Sequence, residues 1–101
     1  MTEGRKDDQG KLDLTKLLAL PEDMLRALVE VAEVEDFGAK KYGKENWRKL
    51  SNLPERYLAA AIRHVRSRIT GAVADDESER HALAHAICCL MFVMAHDRGQ
   101  S

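Results

Sequence analysis

The chain has 101 residues, of which 45% are hydrophobic and 33% are charged, and its formal net charge is -1. This length fits a single domain over residues 1–101, and the many clustered apolar residues exclude a fully disordered chain. A net charge near zero argues against a general nucleic-acid binder or a membrane-surface binder.

The chain opens with polar residues, and we interpret residues 1–11 as a polar arm without the apolar core of a signal peptide. Residues 12–20 are apolar and are expected to form a helical turn that packs on the rest. The longest apolar run, residues 82–95, is shorter than the ~20 residues that cross a membrane, so we expect a cytoplasmic protein. Cys88 and Cys89 are neighbours that pair poorly with each other, so we interpret them as free buried thiols.

The spacing of the apolar residues predicts an all-α fold, a compact bundle of three main helices at about residues 21–37, 53–70 and 77–96. Gly38 and Gly43 bracket a basic stretch, and the first helix is expected to weaken or end there. No segment alternates β-branched and polar residues with a period of two, so we expect no sheet.

Two capping-box spacings set the predicted helix starts, Asn52 with Glu55 for the second helix and Asp76 with Glu79 for the third. The second helix carries one apolar stripe, formed by Leu58, Ile62, Val65 and Ile69. The third helix is apolar almost all round, and three helices of this size cannot cover it. We therefore expect a homodimer or a higher homo-oligomer.

Acidic residues form two candidate metal-binding groups. Glu30 and Glu33 share one helical face, where a divalent cation would relieve their repulsion. Asp75 and Glu77 lie at the predicted start of the third helix, where acids are also favoured by the helix dipole. Carboxylate oxygens suit Mg²⁺, and a solvated acidic face is the alternative for both groups.

Histidines form another group. Glu77, His81 and His85 are spaced by four residues, so in a helix they would share a face that could hold a transition metal or line a pocket. His85 lies in the most apolar stretch and is expected to need a specific polar partner. The alternative is a core histidine whose hydrogen bonds are satisfied within the fold.

A basic and aromatic segment follows the first helix and contains Lys41, Tyr42, Asn46 and Trp47. Lysine offers a point charge to a phosphate, and an aromatic ring offers a stacking surface to a base. The alternative is a basic loop anchored by one tryptophan. Arg63 on the second helix could face phosphate or pair with the acidic first helix. Taken together, these groups indicate a magnesium-dependent nucleotide site.

Four segments in this order carry a family resemblance: GRKDDQGK (4–11), FGAKKYGKENW (37–47), RYLAAAIRHV (56–65) and DDESERHALAHA (75–86). The chain resembles phage and prophage proteins described as dATP/dGTP diphosphohydrolase-like, related to the MazG-type all-α nucleotide pyrophosphohydrolases. The resemblance implies hydrolysis of a nucleoside triphosphate, with dGTP or dATP as the expected substrate, to the monophosphate and pyrophosphate. It also implies Mg²⁺ or Mn²⁺ as the cofactor and an oligomeric helical fold.

The resemblance also implies site residues. Glu30 and Glu33 match the E-x-x-E part of the metal-binding pattern, and Asp75 and Glu77 stand nearest to its second part. The expected catalytic residues are Glu30, Glu33, His64 and His85, of which the histidines would orient water or sugar. The expected substrate-binding residues are Lys11, Lys41, Tyr42, Asn46, Trp47 and Arg63.

Three positions depart from the family pattern: Ala72, where an acidic residue is expected, Glu79, where a glycine is expected, and Ala82, where a histidine is frequent. Two other functions stay open. One is a non-catalytic helical oligomer that binds nucleotides or a phage protein. The other is a transition-metal phosphohydrolase that uses His64, His81 and His85.

Overall fold

The computed structural model describes residues 11–100, with side chains described over 11–99. The helices are α1 (Thr15–Leu18), α2 (Glu22–Tyr42), α3 (Leu53–Ile69) and α4 (Ala82–Gln100), with a 3-10 turn at Asn46–Lys49. Over these residues the only β pairing is an isolated bridge between Ala74 and His81, so the all-α prediction is confirmed. The predicted polar arm lies outside the described residues apart from Lys11, which is exposed.

Helix α2 begins directly after Pro21, with Glu22 and Asp23 in its first turn, where the positive end of the helix dipole favours acids. It continues through Gly38 and ends at Gly43, whose φ is 99°. The prediction that this helix ends at residue 37 is therefore wrong. A glycine inside a helix costs only about 1 kcal/mol, whereas a positive φ is a conformation that glycine adopts readily. Gly43 is thus the residue that ends α2.

Helix α3 matches its predicted range to within one residue, and Pro54 lies in its first turn. The predicted capping box does not form, because Asn52 adopts a left-handed conformation with φ 53° and its side chain makes no capping hydrogen bond. Asparagine tolerates this region better than most residues, which explains its place at the turn into α3.

Helix α4 begins at Ala82 rather than at residue 77, and the predicted capping box of Asp76 and Glu79 is absent. The residues before it form a loop, because the Asp75 side chain and backbone turn the chain before it can become helical. The predicted helical face of Glu77, His81 and His85 is therefore wrong, since only His85 of the three lies within α4.

The core forms where α4 packs against both α2 and α3. Small side chains dominate the buried part of α4, which lets the helices approach closely. One buried cluster joins α2 to α4 and the other joins α3 to α4. Their buried members are Val31, Val34, Ala84 and Cys88 in the first and Ala61, Ala86 and Cys89 in the second.

A large apolar surface stays exposed on α3 and α4, and we call it the outer apolar face. Its members on α3 are the predicted stripe, Leu58, Ile62, Val65 and Ile69, and on α4 they are Ile87, Leu90, Met91 and Met94. Ile62 is 68% exposed and Met94 is 61% exposed. The stripe of α3 is real, but it does not face the core of this chain.

The segment 12–20 forms α1 as expected, but none of the residues of this helix is buried. Leu12, Leu14, Leu17 and Leu18 are all exposed, so the expected packing of this segment on the rest is wrong. No helix among residues 11–100 is long and apolar enough to span a membrane.

Candidate active site

A cleft of about 350 Å³ opens between the C-terminal half of α2, the middle of α3 and the N-terminal half of α4. The segment around Trp47 and the loop that contains Asp75 and Glu77 also line it. Its size is within the range of small-molecule sites, which are concave and mostly apolar with a few polar groups.

Eight of the twelve predicted site residues line this cleft. They are Lys41, Tyr42, Asn46, Trp47, His64, Asp75, Glu77 and His85. The residues come from four separate segments of the chain, so the fold brings together groups that lie up to 44 positions apart, from Lys41 to His85. The other four, Lys11, Glu30, Glu33 and Arg63, are not among the lining residues.

Aromatic rings form one wall of the cleft. Trp47 stacks on Phe92 with ring centroids 4.6 Å apart, and Tyr57 packs against Phe92 at 4.8 Å. The guanidinium of Arg48 lies over the Trp47 ring at 4.4 Å, a cation–π contact. A base that stacks on Trp47 would compete with these groups for the faces of the ring. Tyr42, which also lines the cleft, is 63% exposed.

Two histidines stack in the cleft, where His64 of α3 and His85 of α4 have ring centroids 4.9 Å apart. The pKa of His64 is lowered, first by burial and then by the neighbouring His85, against an opposing effect of Asp75. His64 is therefore neutral near pH 7 and able to accept a proton. His85 Nε2 lies 2.6 Å from Ser78 Oγ, which provides the polar partner that the sequence led us to expect.

Asp75 organises the loop before α4, which we call the acidic loop (residues 75–81). Its Oδ2 accepts hydrogen bonds from the backbone N–H groups of Glu77 at 3.0 Å and Ser78 at 2.9 Å. The pKa of Asp75 is lowered, chiefly because its charged form accepts the Ser78 N–H. The backbone of Glu79 completes the turn in a left-handed conformation with φ 62°. This is the position where the resemblance led us to expect a glycine.

The charge on the cleft walls is mostly negative. Lys41 Nζ donates to Glu77 Oε1 at 2.5 Å, and this hydrogen bond is the main reason that the pKa of Lys41 is raised. Among the described residues Lys41 is the only lysine or arginine that lines the cleft. The acids that line it are Glu35, Glu45, Asp75 and Glu77.

The four predicted metal ligands each have a protein partner. Glu30 accepts the backbone N–H of His81, Glu33 pairs with Arg80 at 3.5 Å, Glu77 pairs with Lys41, and Asp75 binds its own loop. Within residues 11–99, no group of three or more His, Cys, Asp or Glu side chains is arranged to hold a metal. The donor set therefore does not fit a preformed metal site in this chain, and the metal requirement stays a prediction.

The two predicted cations outside the cleft lie elsewhere on the surface. Arg63 lines a shallow depression on α3 together with Asn52, Glu55, Arg56 and Ala59. Lys11 is exposed at the start of the described residues. Their assignment as phosphate contacts stays a prediction.

Several cleft residues were absent from the sequence prediction. Tyr57 is seven positions before His64, and Phe92 is seven positions after His85, so each lies on the same helical face as a predicted histidine. This spacing was a signal that could have identified both rings. Glu35 of α2, and Ser78, which contacts His85 from the acidic loop, had no comparable signal, because their positions depend on how α2 and that loop pack against α4.

Cys88 and Cys89 also line the cleft and are free and buried, as predicted. Burial raises the pKa of Cys88 to about 12 and that of Cys89 to about 11. Thiols with such pKa values carry almost no thiolate at neutral pH, so they are poor nucleophiles. They contribute apolar surface to the lining of the cleft.

Comparison with known proteins gives three findings. Residues 1–100 match the family described as dATP/dGTP diphosphohydrolase, N-terminal. A dATP/dGTP diphosphohydrolase of Salmonella phage PMBT28 is 42% identical over 90 residues, which cover 89% of this chain but only 28% of that relative. No solved structure matches the chain.

Proposed function

Because the chain belongs to the dATP/dGTP diphosphohydrolase N-terminal family, we propose that its cleft binds dATP or dGTP and hydrolyses it to the monophosphate and pyrophosphate. The observation that carries this proposal is the convergence of Lys41, Asn46, Trp47, His64 and His85 on one cleft. The name of the phage relative, which is much longer than this chain, supports the choice of these two substrates.

The proposed reaction is attack of water on the α-phosphorus. A bond forms between the water oxygen and phosphorus, the bond from the α-phosphorus to the bridging oxygen breaks, and pyrophosphate leaves with the electron pair. Neutral His64 orients the water and accepts its proton. Lys41 offsets negative charge on the phosphates, and Tyr42 or the Trp47 wall faces the base.

Metal dependence is part of the proposal, with Mg²⁺ or Mn²⁺ as the ion. The supporting observation is electrostatic, since a triphosphate that enters this cleft meets four carboxylates and one lysine. Repulsion of this kind is relieved by a divalent cation that neutralises the phosphates.

A binding experiment tests where the nucleotide goes. Isotope-labelled protein is titrated with a dGTP analogue that cannot be cleaved between the α- and β-phosphates, with Mg²⁺ present. We expect the Trp47 indole N–H signal and the His64 and His85 ring signals to shift together. Shifts confined to Arg63 and the depression around it would place the nucleotide on the other surface and contradict the proposal.

The second candidate function is a protein that binds nucleotides without turning them over. This function is favoured because all four predicted metal ligands already have partners within the protein. Saturable binding of the intact dGTP without release of pyrophosphate would establish this alternative in place of hydrolysis.

We also propose that a second copy of the chain covers the outer apolar face. Eight exposed large apolar side chains on two neighbouring helices are more than isolated surface residues, and apolar surface of this kind marks interaction sites. Two copies related by a two-fold axis would bury the same face of each other. Light scattering on the full chain measures the assembly, and Ile62→Glu is expected to shift it to monomer, with the exposed α2 variant Val29→Glu as the control. A wild-type monomer would contradict this proposal and leave the face to another partner.

A further inference from the structure

Glu30 of α2 makes a contact that its sequence pattern does not suggest. Its carboxylate Oε2 accepts the backbone N–H of His81 at 2.5 Å, across 51 positions of sequence, and the contact is partly buried. His81 directly precedes α4, and its ring Nδ1 accepts the backbone N–H of Leu83 at 3.0 Å. The His81 side chain therefore caps the N-terminus of α4 through the Leu83 N–H, and Glu30 caps it from a different helix through the His81 N–H.

We infer that Glu30 is a positioning residue of the cleft, which fixes the acidic loop at the start of α4, and that it is not a ligand of the catalytic metal. The inference deepens the proposed function, and its activity readout rests on that function. Its structural readout, hydrogen exchange of the His81 amide, does not rest on that function. The inference and the proposed function can therefore fail separately.

The physical reason lies in the start of α4. In a capping box, a Glu or Gln three positions into the helix accepts the N–H of the capping residue. Here that position is Ala84, which has no acceptor side chain. Glu30 supplies the missing acceptor from α2, and its negative charge lies at the positive end of the α4 dipole.

The acidic loop that Glu30 anchors reaches the reacting groups through a short series of contacts. Asp75 holds the turn through the Ser78 N–H at 2.9 Å. Ser78 Oγ lies 2.6 Å from His85 Nε2, and His85 stacks on His64. A loop that detached from α2 would release Ser78 and with it the orientation of His85 in the cleft.

Glu33, one turn further along α2, is a weaker second tie to the same loop. Its carboxylate lies 3.5 Å from Arg80, and both side chains are about half exposed, at 45% and 47%. An ion pair this exposed contributes little to stability, so the partly buried contact of Glu30 is the one that fixes the loop.

Two substitutions separate a positioning role from metal binding. The amide oxygen of Glu30→Gln still accepts the His81 N–H but lacks the charge that a metal ligand provides, whereas Glu30→Ala removes both. Hydrogen exchange of the His81 amide is the structural readout. We expect Glu30→Gln to keep its protection and Glu30→Ala to exchange about tenfold faster.

Pyrophosphate release from dGTP is the functional readout. We expect kcat of Glu30→Gln to stay within about threefold of the wild type and kcat of Glu30→Ala to fall by about tenfold or more, in the same range as a lost hydrogen bond. The Mg²⁺ concentration that gives half-maximal rate should not change in Glu30→Gln. Asp36→Asn on the exposed side of α2 is the matched control and should change neither readout.

Two results would overturn the inference. One is a Glu30→Gln variant as inactive as Glu30→Ala while its His81 amide stays protected, since that is the pattern of a metal ligand. The other is unchanged exchange of the His81 amide in Glu30→Ala. If the alanine variant does not fold, Glu30→Asp, which keeps the charge but withdraws the carboxylate, should show the same faster exchange. A wild-type chain without activity would refute the proposed function and leave the exchange result to decide this inference.

Discussion

Replacing Glu79 with glycine should stabilise the protein. Glu79 has φ 62° and lies in the acidic loop, and the hydrogen bond from its N–H to the Asp75 carbonyl at 2.8 Å is retained by any residue. A left-handed conformation costs an L-residue about 1–2 kcal/mol. Glycine avoids this cost but loses about 0.5–1 kcal/mol through its more flexible unfolded chain. The midpoints of these two ranges leave a net gain of about 0.75 kcal/mol, equivalent to a Tm rise of about 3–6 °C for a domain of this size.

Thermal unfolding followed by circular dichroism measures this gain. Ala59→Gly is the matched control, because Ala59 is exposed within α3 and glycine there should cost about 1 kcal/mol. A Tm of Glu79→Gly equal to or below that of the wild type, with the control lowered as expected, would refute the backbone-strain argument.

Three further predictions follow from the cleft. The pKa of His64 is lowered from 6.5 in the folded state, so protonation of His64 favours the unfolded chain. The free energy of unfolding should therefore fall as pH drops through about 6.5 and level off below the pKa of the folded state. Unfolding curves between about pH 7.5 and about pH 5.5 should show this slope, and His64→Gln should reduce it. Cys88 and Cys89 have pKa values of about 12 and about 11, so in the folded chain they should react with iodoacetamide at least about 100-fold more slowly than free cysteine at about pH 8. In denaturant they should react at the ordinary rate, and rapid labelling of the folded chain would contradict their burial. Lys41→Ala should raise KM for dGTP by about 10- to 100-fold, and Lys40→Ala, which removes the neighbouring lysine outside the cleft, should not.

The sequence was most informative where a local rule decides the structure. The apolar spacing of α3 placed that helix within one residue of its observed range. The same spacing could not say which side of the helix faces the core. Leu58 and Ile62 are exposed while Ala61 is buried, because small residues allow the close approach of α4 and the larger ones point away from it.

The start of α4 could not be predicted from local patterns. The acids at residues 75–79 have the composition of a helix start, but Asp75 uses its carboxylate to turn the chain. Glu30 then holds the end of that loop from 51 positions away. Contacts of this range depend on how α2 packs against α4, and a capping rule that considers four consecutive residues does not include them.

The sequence predicted the types of residue that form the candidate site and eight of the residues that line it. The residues around Trp47 and His85 meet in the cleft, because α2, α3 and α4 carry them to one place. The E-x-x-E spacing of Glu30 and Glu33 indicated a shared helical face, but it could not show that the face points to the acidic loop. The roles of these residues stay predictions until the variants are measured.

The most direct test of the central claim is release of pyrophosphate by the full chain from a panel of ribo- and deoxyribonucleoside triphosphates, with Mg²⁺, with Mn²⁺ and with EDTA. We predict release from dATP or dGTP with either metal, loss of release with EDTA, and equal amounts of monophosphate and pyrophosphate. A folded sample that binds dGTP but releases pyrophosphate from none of the triphosphates would contradict the account and identify the chain as a nucleotide-binding protein.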